Sequence, residues 1–264
     1  MAPRSEPVAV PAHAARPIVS ALGRLAGLML PGPIEEWLRR RRLGDAPVPP
    51  GDVRFGDLRR LTPMSSAFGF DRGQPVDRHY IETFLGRHAS DIRGRVLEVG
   101  DASYTRRFGG KLVVRSDVLH VHDGNPHATI VADLAKGDAI PSAAFDCVIL
   151  TQTLHLIYDV HAAVATLRRI LAPRGACLIT VPGISQIDSG AWRDSWYWAF
   201  TPASLRRVLA ESFGTSVNVH SFGNVLTATA FLHGLSASEL TSEELAVGDA
   251  SYPVIVAARV SVGG

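Results

Sequence analysis

The sequence RVLEVGDASYTRRFGG, residues 95–110, decides the fold of this chain. Val96, Leu97 and Val99 form a short apolar run, rich in β-branched residues, of the kind that builds a strand buried on both faces. Gly100 follows at once and allows the backbone to turn sharply and to approach a ligand closely. The small residues that come next keep this turn open ahead of a helix whose amide groups face the ligand. The stretch therefore predicts a strand, a ligand-binding turn and a helix.

A second apolar run, residues 112–114, leads to Asp117, which lies 19 positions after Glu98. An acidic residue about 20 positions beyond a glycine turn suits a ribose, because one carboxylate can accept hydrogen bonds from both hydroxyls. A dinucleotide-binding G-x-G-x-x-G sequence would need glycines at positions 102 and 105, where Ala102 and Thr105 stand. A Y-x-x-x-K pair is missing as well. These patterns argue against a nicotinamide-dependent oxidoreductase.

Composition and charge limit the remaining classes of protein. The chain has 264 residues, of which 46% are hydrophobic and 20% charged, enough for one large α/β domain with an appendage. Cys147 and Cys177 lie in apolar runs, which predicts buried thiols in a reducing, cytoplasmic compartment. Neither C-x-x-C nor H-E-x-x-H occurs, so no metal site is predicted. The net charge of +2 comes from the first fifty residues, so the body of the chain has no nucleic-acid-binding signature.

The first fifty residues differ in kind from the rest. Residues 1–17 are rich in Pro and Ala without periodicity, which predicts a mobile tail. Residues 18–43 place apolar side chains near helical spacing and end in an Arg-rich stretch, which predicts an amphipathic helix packed on the domain or on a partner. A transit peptide or membrane-surface anchor fits poorly, because Pro31 and Pro33 interrupt the segment. Its apolar run is too short to cross a membrane.

Strand and helix patterns alternate beyond the second strand. Residues 129–131 form a third apolar run, 145–150 a fourth and 176–181 a fifth, with a helix predicted over 159–171. Strand-and-helix units in series predict a parallel, doubly wound sheet. Ligands of such sheets bind beyond the carboxyl ends of the strands. The predicted residues at that edge are Gly100, Asp117, Asp133 and Thr151.

Several phrases of the sequence resemble one protein family. They are FGFDRGQPVDRHYIE, LEVGDASYTRRFGG, SDVLHV, FDCVILTQTLHLIYDV, LITVPGISQI and FGNVLTATAFLHGL. Residues 57–260 are similar to class I S-adenosylmethionine-dependent methyltransferases of the type 11 kind, and closest to a branch found beside or fused to glycosyltransferases. The resemblance implies a Rossmann-like, seven-stranded, mostly parallel sheet whose last strand, near 254–260, is antiparallel. Residues 1–50, predicted to form an N-terminal helical extension, lie outside it.

The sequence GDAPVPPGD, residues 44–52, is typical of a linker and predicts a domain boundary near Gly51. Residues 1–50 would form the tail and amphipathic helix, and 51–264 the methyltransferase domain. Within that domain, 51–94 would be an N-terminal cap, and 184–212 and 224–247 would be lid elements on the acceptor side. An apolar helix over 224–245 would close the pocket or form a dimer face.

S-adenosylmethionine is the cofactor that the resemblance implies. The implied contacts are Glu98, Gly100, Asp101, Ala102, Asp117, Val118, Asp133, Leu134, Thr151 and Gln152. Ala102 and Tyr104 depart from the glycines of the wider superfamily and are expected to narrow the loop. Asp77 is predicted to cap a helix ahead of the first strand, from which Arg72 and Tyr80 would bind the methionine carboxylate. Alternatively, Arg72 pairs with Asp77 and Tyr80 packs in the core.

Methyl transfer to a hydroxyl also requires removal of a proton, and histidine is the best base near neutral pH. His155, which follows the fourth strand, is the predicted catalytic base. The alternative is a histidine packed under the cofactor or capping the next helix. His120 and His122, just after Asp117, are the second candidates.

The acceptor site is predicted in residues 184–200, which hold three of the four Trp of the chain. Indole rings suit the apolar face of a sugar or an aromatic ring. The predicted substrate-binding residues are Asp188, Trp192, Trp196 and Trp198. An aromatic cluster that only holds a lid in place would give the same pattern.

The sequence thus predicts an enzyme that O-methylates a sugar hydroxyl of a glycan or of a glycosylated natural product. An N- or O-methyltransferase of a non-sugar small molecule is one alternative. A catalytically silent partner of a glycosyltransferase is another. The expected partners are a small-molecule or glycan acceptor and either a second copy of the chain or a glycosyltransferase, with no nucleic acid and no transmembrane segment.

Overall fold

The computed structural model describes residues 48–215 and 217–263. The chain divides into two compact units, and the division falls between Arg59 and Arg60 in the sequence. In the described part of the first unit, a single 3-10 turn spans Gly56–Leu58, and the Arg59 guanidinium lies 5.3 Å from the centre of the Phe55 ring. The predicted tail and amphipathic helix of residues 1–43 lie outside the described residues.

The second unit is built on one seven-stranded sheet. Its strands are β1 Gly94–Val99, β2 Val113–His120, β3 Ile130–Val131, β4 Phe145–Thr151, β5 Leu171–Pro182, β6 Val217–Phe222 and β7 Ile255–Ser261. They lie in the order β3-β2-β1-β4-β5-β7-β6. The first five strands are parallel, and β7 is antiparallel to both of its neighbours. The predicted Rossmann-like sheet with an antiparallel last strand is confirmed.

Helices cover both faces of this sheet. They are α1 Val76–Arg87, α2 Val160–Ile170, α3 Pro202–Phe213, α4 Val225–Leu232 and α5 Ser242–Ala246. Successive residues of β1 point to opposite faces, so Leu97 packs in the core beneath α2 and α3 while Val96 packs in the core beneath α1 and α4. The sheet is therefore doubly wound, as predicted. Cys147 and Cys177 are buried free thiols, also as predicted.

Two of the predicted helix boundaries are wrong. Asp77 does not cap α1, because the helix begins after Pro75 and Asp77 is buried within its first turn. The predicted helix over 224–245 is broken after α4. Gly234 adopts a φ of +68° there, and a Cβ on it would lie 2.1 Å from the carbonyl oxygen of Ser65. The close approach of that carbonyl ends the helix, and a 3-10 turn and α5 follow.

The connections between the first strands also differ from the prediction. Among the crossovers that join the first five strands, only the one from β4 to β5 contains an α-helix. From β1 to β2 the chain passes through a π-helical turn, Thr105–Gly109, and a 3-10 turn, Gly110–Leu112. The register then pairs Leu97 with Asp117 and Val99 with Leu119. Asp117 therefore lies inside β2, short of the edge where a ligand would bind.

Candidate active site

A cleft of about 1290 Å³ lies at the carboxyl ends of β1, β2 and β4. It is walled by the start of α1, by the turns after these three strands, and by residues 184–200, called here the tryptophan segment. The predicted site residues that line it are Glu98, Gly100, Asp101, Asp133, Leu134, Thr151, Gln152, His155, Asp188, Trp192 and Trp196. Their individual roles stay predictions. Six predicted residues do not line it: Arg72, Tyr80, Ala102, Asp117, Val118 and Trp198.

The turn after β1 is held by Glu98 and is open toward the cleft. The buried Glu98 carboxylate accepts hydrogen bonds from the backbone N–H of Thr105 at 2.7 Å and of Tyr104 at 3.1 Å. Burial raises the pKa of Glu98, although these hydrogen bonds counteract the shift. Gly100 has a φ of +91°, and no atom lies within 4 Å of the position that a Cβ would take. A ligand can thus contact the Gly100 backbone directly.

Of the two residues expected to narrow the turn after β1, only Tyr104 lines the cleft. Ala102 is 8% exposed and does not line it, and the narrowing itself stays a prediction. Tyr104 lines the cleft, and its hydroxyl accepts a hydrogen bond from Arg78 Nη1 at 3.3 Å.

Asp117, predicted to contact a ribose, does not line the cleft and is held in a buried network of hydrogen bonds. The side chain is buried, and its oxygens accept hydrogen bonds from Arg95 Nε at 2.7 Å, Arg115 Nη2 at 3.1 Å and Thr129 Oγ1 at 3.2 Å. Burial alone would raise the pKa of Asp117, but these donors hold it below its usual value. Val118 is also buried, and its N–H donates to Thr129 Oγ1 at 2.9 Å.

Replacing Asp117 with Ala is expected to lower the free energy of unfolding by about 2–3 kcal/mol, because Arg95 and Thr129 lose a buried partner. Arg115 adds little, since its side chain is 61% exposed. Chemical denaturation measures the change. Asp117→Asn keeps one oxygen acceptor and should lose less. If Asp117→Asn weakened ligand binding without any loss of stability, the residue would belong to the site after all.

His120 occupies the place that Asp117 was predicted to take. It is the last residue of β2 and lines the cleft. Its Nδ1 lies 2.9 Å from the carbonyl oxygen and 3.2 Å from the amide nitrogen of His122, which leaves Nε2 for a ligand. The signal that identifies this position is the turn sequence DGNP at 123–126, which marks where β2 must already have ended.

Arg72 and Tyr80, the two residues predicted to hold a carboxylate, point elsewhere. Arg72 forms a two-pronged ion pair with Glu239, in which Nε donates to Oε2 at 3.0 Å. That hydrogen bond lowers the pKa of Glu239 to about 2. Tyr80 is 2% exposed, and its hydroxyl donates to the carbonyl oxygen of Leu245 at 3.2 Å.

Arg78, in the first turn of α1, is the cation that sequence reasoning missed. It lines the cleft beside the turn after β1, with its guanidinium 5.8 Å from the centre of the Phe70 ring. Its Nε is buried and has no hydrogen-bond partner, and lies 3.8 Å from Asp77 Oδ2. Burial raises the pKa of Asp77. The site thus holds a half-buried guanidinium whose Nε makes no hydrogen bond, which suits an anionic ligand group.

The chain after β4 places two polar side chains in the cleft without partners. Gln152 has a φ of +46°, in the left-handed region that non-glycine residues rarely adopt, and its Nε2 is buried without a partner. His155 lies in a 3-10 turn, Leu154–Leu156, and is 1% exposed. Neither of its ring nitrogens has a hydrogen-bond partner, and burial lowers its pKa to about 4. The imidazole is therefore neutral near pH 7 and able to accept a proton.

The tryptophan segment contributes to the cleft through only two of its indoles. The Trp192 ring lies 6.5 Å from that of His120, and the backbone N–H of Trp192 donates to Asp188 Oδ2 at 3.1 Å. Trp196 packs against His155. Trp198, predicted to bind the substrate, does not line the cleft, and its Nε1 donates to the carbonyl oxygen of Ile157 at 3.0 Å.

The described residues contain neither a metal-binding cluster nor a membrane-spanning helix. No group of three or more His, Cys, Asp or Glu in residues 48–215 and 217–263 could hold a metal ion. Within the same ranges, the helices are all too short or too polar to cross a membrane.

Residues 78–221 match the family model described as a methyltransferase domain. This is more than half of the chain. The chain belongs to the methyltransferase domain family. The matched part of the methyltransferase domain begins at Arg78 and ends in β6, so it contains the turns after β1, β2 and β4 and the whole tryptophan segment. The match does not include α4, α5 and β7, nor the residues of the second unit that precede Arg78.

Solved structures with a similar fold are distant from the methyltransferase domain in sequence. An S-adenosylmethionine-dependent methyltransferase from Archaeoglobus fulgidus is 12% identical, with a TM-score of 0.48, over 70% of this chain and 94% of its own. The N-methyltransferase NodS from Bradyrhizobium japonicum, in complex with S-adenosyl-L-homocysteine, is 14% identical, with a TM-score of 0.47, over 73% and 90%. A Haloferax volcanii complex of the Trm112 methyltransferase activator and a putative methyltransferase gives 17% identity and a TM-score of 0.46, over 75% and 96%. No curated protein matches the chain.

Proposed function

We propose that this methyltransferase uses S-adenosylmethionine to methylate a sugar hydroxyl, with His155 accepting the proton of that hydroxyl. The observation that carries the proposal is the placement of an open glycine turn, a half-buried guanidinium and a neutral, unpartnered imidazole in one cleft. When bound, S-adenosylmethionine supplies a methyl group that is already activated by its positively charged sulfur. The protein has to hold this group, align the acceptor and remove one proton.

The residues of the cleft fit such a cofactor. The unused Nε of Arg78 matches the carboxylate of the methionine moiety, and the bare backbone of Gly100 permits close contact. Asp133 and Leu134, just after β3, would hold the adenine, and His120 Nε2 would bind the ribose in place of a carboxylate. Glu98 acts on the ligand indirectly, because its carboxylate fixes the amide groups of the turn.

The acceptor side combines aromatic surface with His155. Trp192 and Tyr197 line the cleft with flat apolar faces of the kind that stack on a sugar ring, and Asp188 lies beside them to bind hydroxyls. A neutral imidazole with both nitrogens free can take a proton from a hydroxyl, which contributes on the order of 10²- to 10⁴-fold to the rate. A catalytically silent role is less well supported, since the turn is open and Arg78 has a free donor.

Calorimetric titration with S-adenosylmethionine, S-adenosylhomocysteine and NAD tests the cofactor. Micromolar binding of the first two without binding of NAD is the expected result. Transfer of a labelled methyl group to panels of sugars, non-sugar alcohols and amines then tests the acceptor. Methylation of amines alone would replace the sugar proposal with N-methylation, and binding of neither sulfur compound would overturn the cofactor.

Arg78→Leu is expected to weaken binding of S-adenosylhomocysteine by about 10- to 100-fold, the loss of one charge-assisted hydrogen bond to a carboxylate. Calorimetry measures it directly. Arg72→Leu is the matched control, because Arg72 was also a candidate but pairs with Glu239 outside the cleft. Equal losses in the two variants, or a loss in Arg72→Leu alone, would contradict the assignment of Arg78.

A further inference from the structure

The rings of Phe68, Trp196 and His155 form a layer along one wall of the cleft. The rings of Trp196 and Phe68 are stacked, with centroids 6.4 Å apart and an angle of 16° between their planes. The Trp196 ring also packs against the His155 ring, with centroids 4.4 Å apart and an angle of 63° between their planes. Phe68 in turn packs against Phe231 of α4, at 6.2 Å. The Trp196 ring therefore packs between the rings of Phe68 and His155.

No hydrogen bond orients the His155 ring. Both ring nitrogens are buried and unpartnered, so neither a carboxylate nor a backbone carbonyl sets the tautomer or the rotation of the ring. An imidazole that accepts a proton must present one nitrogen to its donor. The contact with Trp196 is the closest ring contact that can supply this orientation.

The tryptophan segment is also attached to His155 through the backbone. The N–H groups of Tyr197 and Trp198 both donate to the carbonyl oxygen of His155, at 3.1 and 3.2 Å. Residue 155 thus receives one ring contact and two hydrogen bonds from the same few residues. This arrangement ties the position of Trp196 to that of the histidine.

Backbone strain occurs in the same wall. Phe68 has a φ of +57°, a conformation that is costly for a bulky residue and is retained where the surrounding structure requires it. The strained Phe68 and the strained Gln152 both line this cleft. Strain of this kind gathers at functional sites. The geometry that places Phe68 behind Trp196 is therefore maintained at an energetic cost.

We propose that Trp196 is a positioning residue, whose indole orients the His155 imidazole and keeps water from its ring nitrogens. This inference rests on the proposed function, in which His155 accepts the proton of the acceptor. It replaces the prediction that Trp196 stacks on the substrate. The charged groups that line the same cleft are Asp77, Arg78, Glu82, Glu98, Asp101, Arg107, Asp133, Asp159 and Asp188. None of them contributes to the lowered pKa of His155, whose only cause is burial.

An NMR titration of His155 in the free protein tests the proposal without any acceptor. The protein carries ¹³C-labelled histidine, and His155→Gln identifies the signal among the 10 histidines of the chain. Trp196→Ala is expected to raise the pKa of His155 from about 4 toward its ordinary 6.5, because water reaches the ring. Trp196→Phe keeps an aromatic ring and should give a smaller shift. Trp198→Phe removes a hydrogen bond of the same segment but not the ring on His155, and should leave the pKa unchanged.

Rates complete the test once an acceptor is known. Trp196→Ala is expected to lower kcat by about 10- to 100-fold through misorientation of the base, with little change in KM for the cofactor. An unchanged His155 pKa in Trp196→Ala would overturn the proposal, as would an equal shift in Trp198→Phe. If Trp196→Ala does not fold, Phe68→Leu and Trp196→Phe provide the same comparison. Because the titration needs neither cofactor nor acceptor, failure of the proposed reaction would not be mistaken for failure of this inference.

Discussion

Replacing His155 with Gln is expected to lower kcat by about 10²- to 10⁴-fold, the usual contribution of a positioned general base. The amide of Gln has no basic nitrogen, so the acceptor hydroxyl keeps its proton until the methyl group has transferred. Affinity for S-adenosylhomocysteine should stay within about twofold, because the cofactor contacts proposed above come from other residues. Steady-state kinetics and calorimetry on one preparation separate the two effects.

The pH dependence of the wild-type protein provides an independent check on His155. With a pKa of about 4, the imidazole is already neutral at pH 5, so the acid limb of kcat/KM should lie near pH 4. An acid limb near 6.5 would mean that water reaches the ring. An amine acceptor would add its own titration at higher pH, which the sugar hydroxyl would not show.

Stability should depend on pH for the same reason. The pKa of His155 lies below its ordinary 6.5 in the folded protein, so the unfolded chain binds more protons between pH 4 and 6.5. The contribution is fully present above pH 6.5 and is lost as the pH falls through this window. The loss approaches about 3 kcal/mol at pH 4. His155→Phe, which cannot be protonated, should show a flatter profile of unfolding free energy over this range.

The fold and part of the site could be predicted because parallel strands bring their carboxyl ends to one edge of a sheet. The glycine turn after β1 and the residues after β4 can be assigned to the site once the ends of these strands are known. Short apolar runs in the sequence show where the strands end. His155 and Gln152 were found in this way, although their lack of partners is visible only in three dimensions.

The sequence-based predictions fail where the structure depends on the exact length of a connection or on a contact with a residue far away in the sequence. Asp117 lies near the spacing that suits a ribose contact, but the crossover from β1 is short and β2 continues for three more residues, to His120. The sequence does not reveal that Arg72 is already paired, because its partner, Glu239, lies 167 positions away in the sequence. Neither the register of β2 nor that ion pair can be read from local sequence.

Replacing Glu98 with Ala is expected to lower the free energy of unfolding by about 3 kcal/mol, because two backbone N–H groups lose a charged acceptor. For a domain of this size, that corresponds to a fall in Tm of about 6–12 °C. The amide groups of Tyr104 and Thr105 would no longer be held in the turn, so affinity for S-adenosylhomocysteine should fall by about 10-fold or more. Differential scanning calorimetry and titration calorimetry measure the two effects.

Glu98→Gln separates the two roles of this carboxylate. The amide keeps one oxygen that can accept from the N–H of Thr105, the shorter of the two hydrogen bonds, but it brings an NH₂ group toward the N–H of Tyr104. Stability should then fall less than in Glu98→Ala, while the turn is still disturbed at Tyr104, which lines the cleft beside Arg78. A Glu98→Ala protein with full cofactor affinity would mean that the glycine turn keeps its shape without Glu98. In that case the turn would be fixed by Asn125, whose Nδ2 donates to the carbonyl oxygen of Gly100 at 2.6 Å, and Asn125→Ala would show the loss instead.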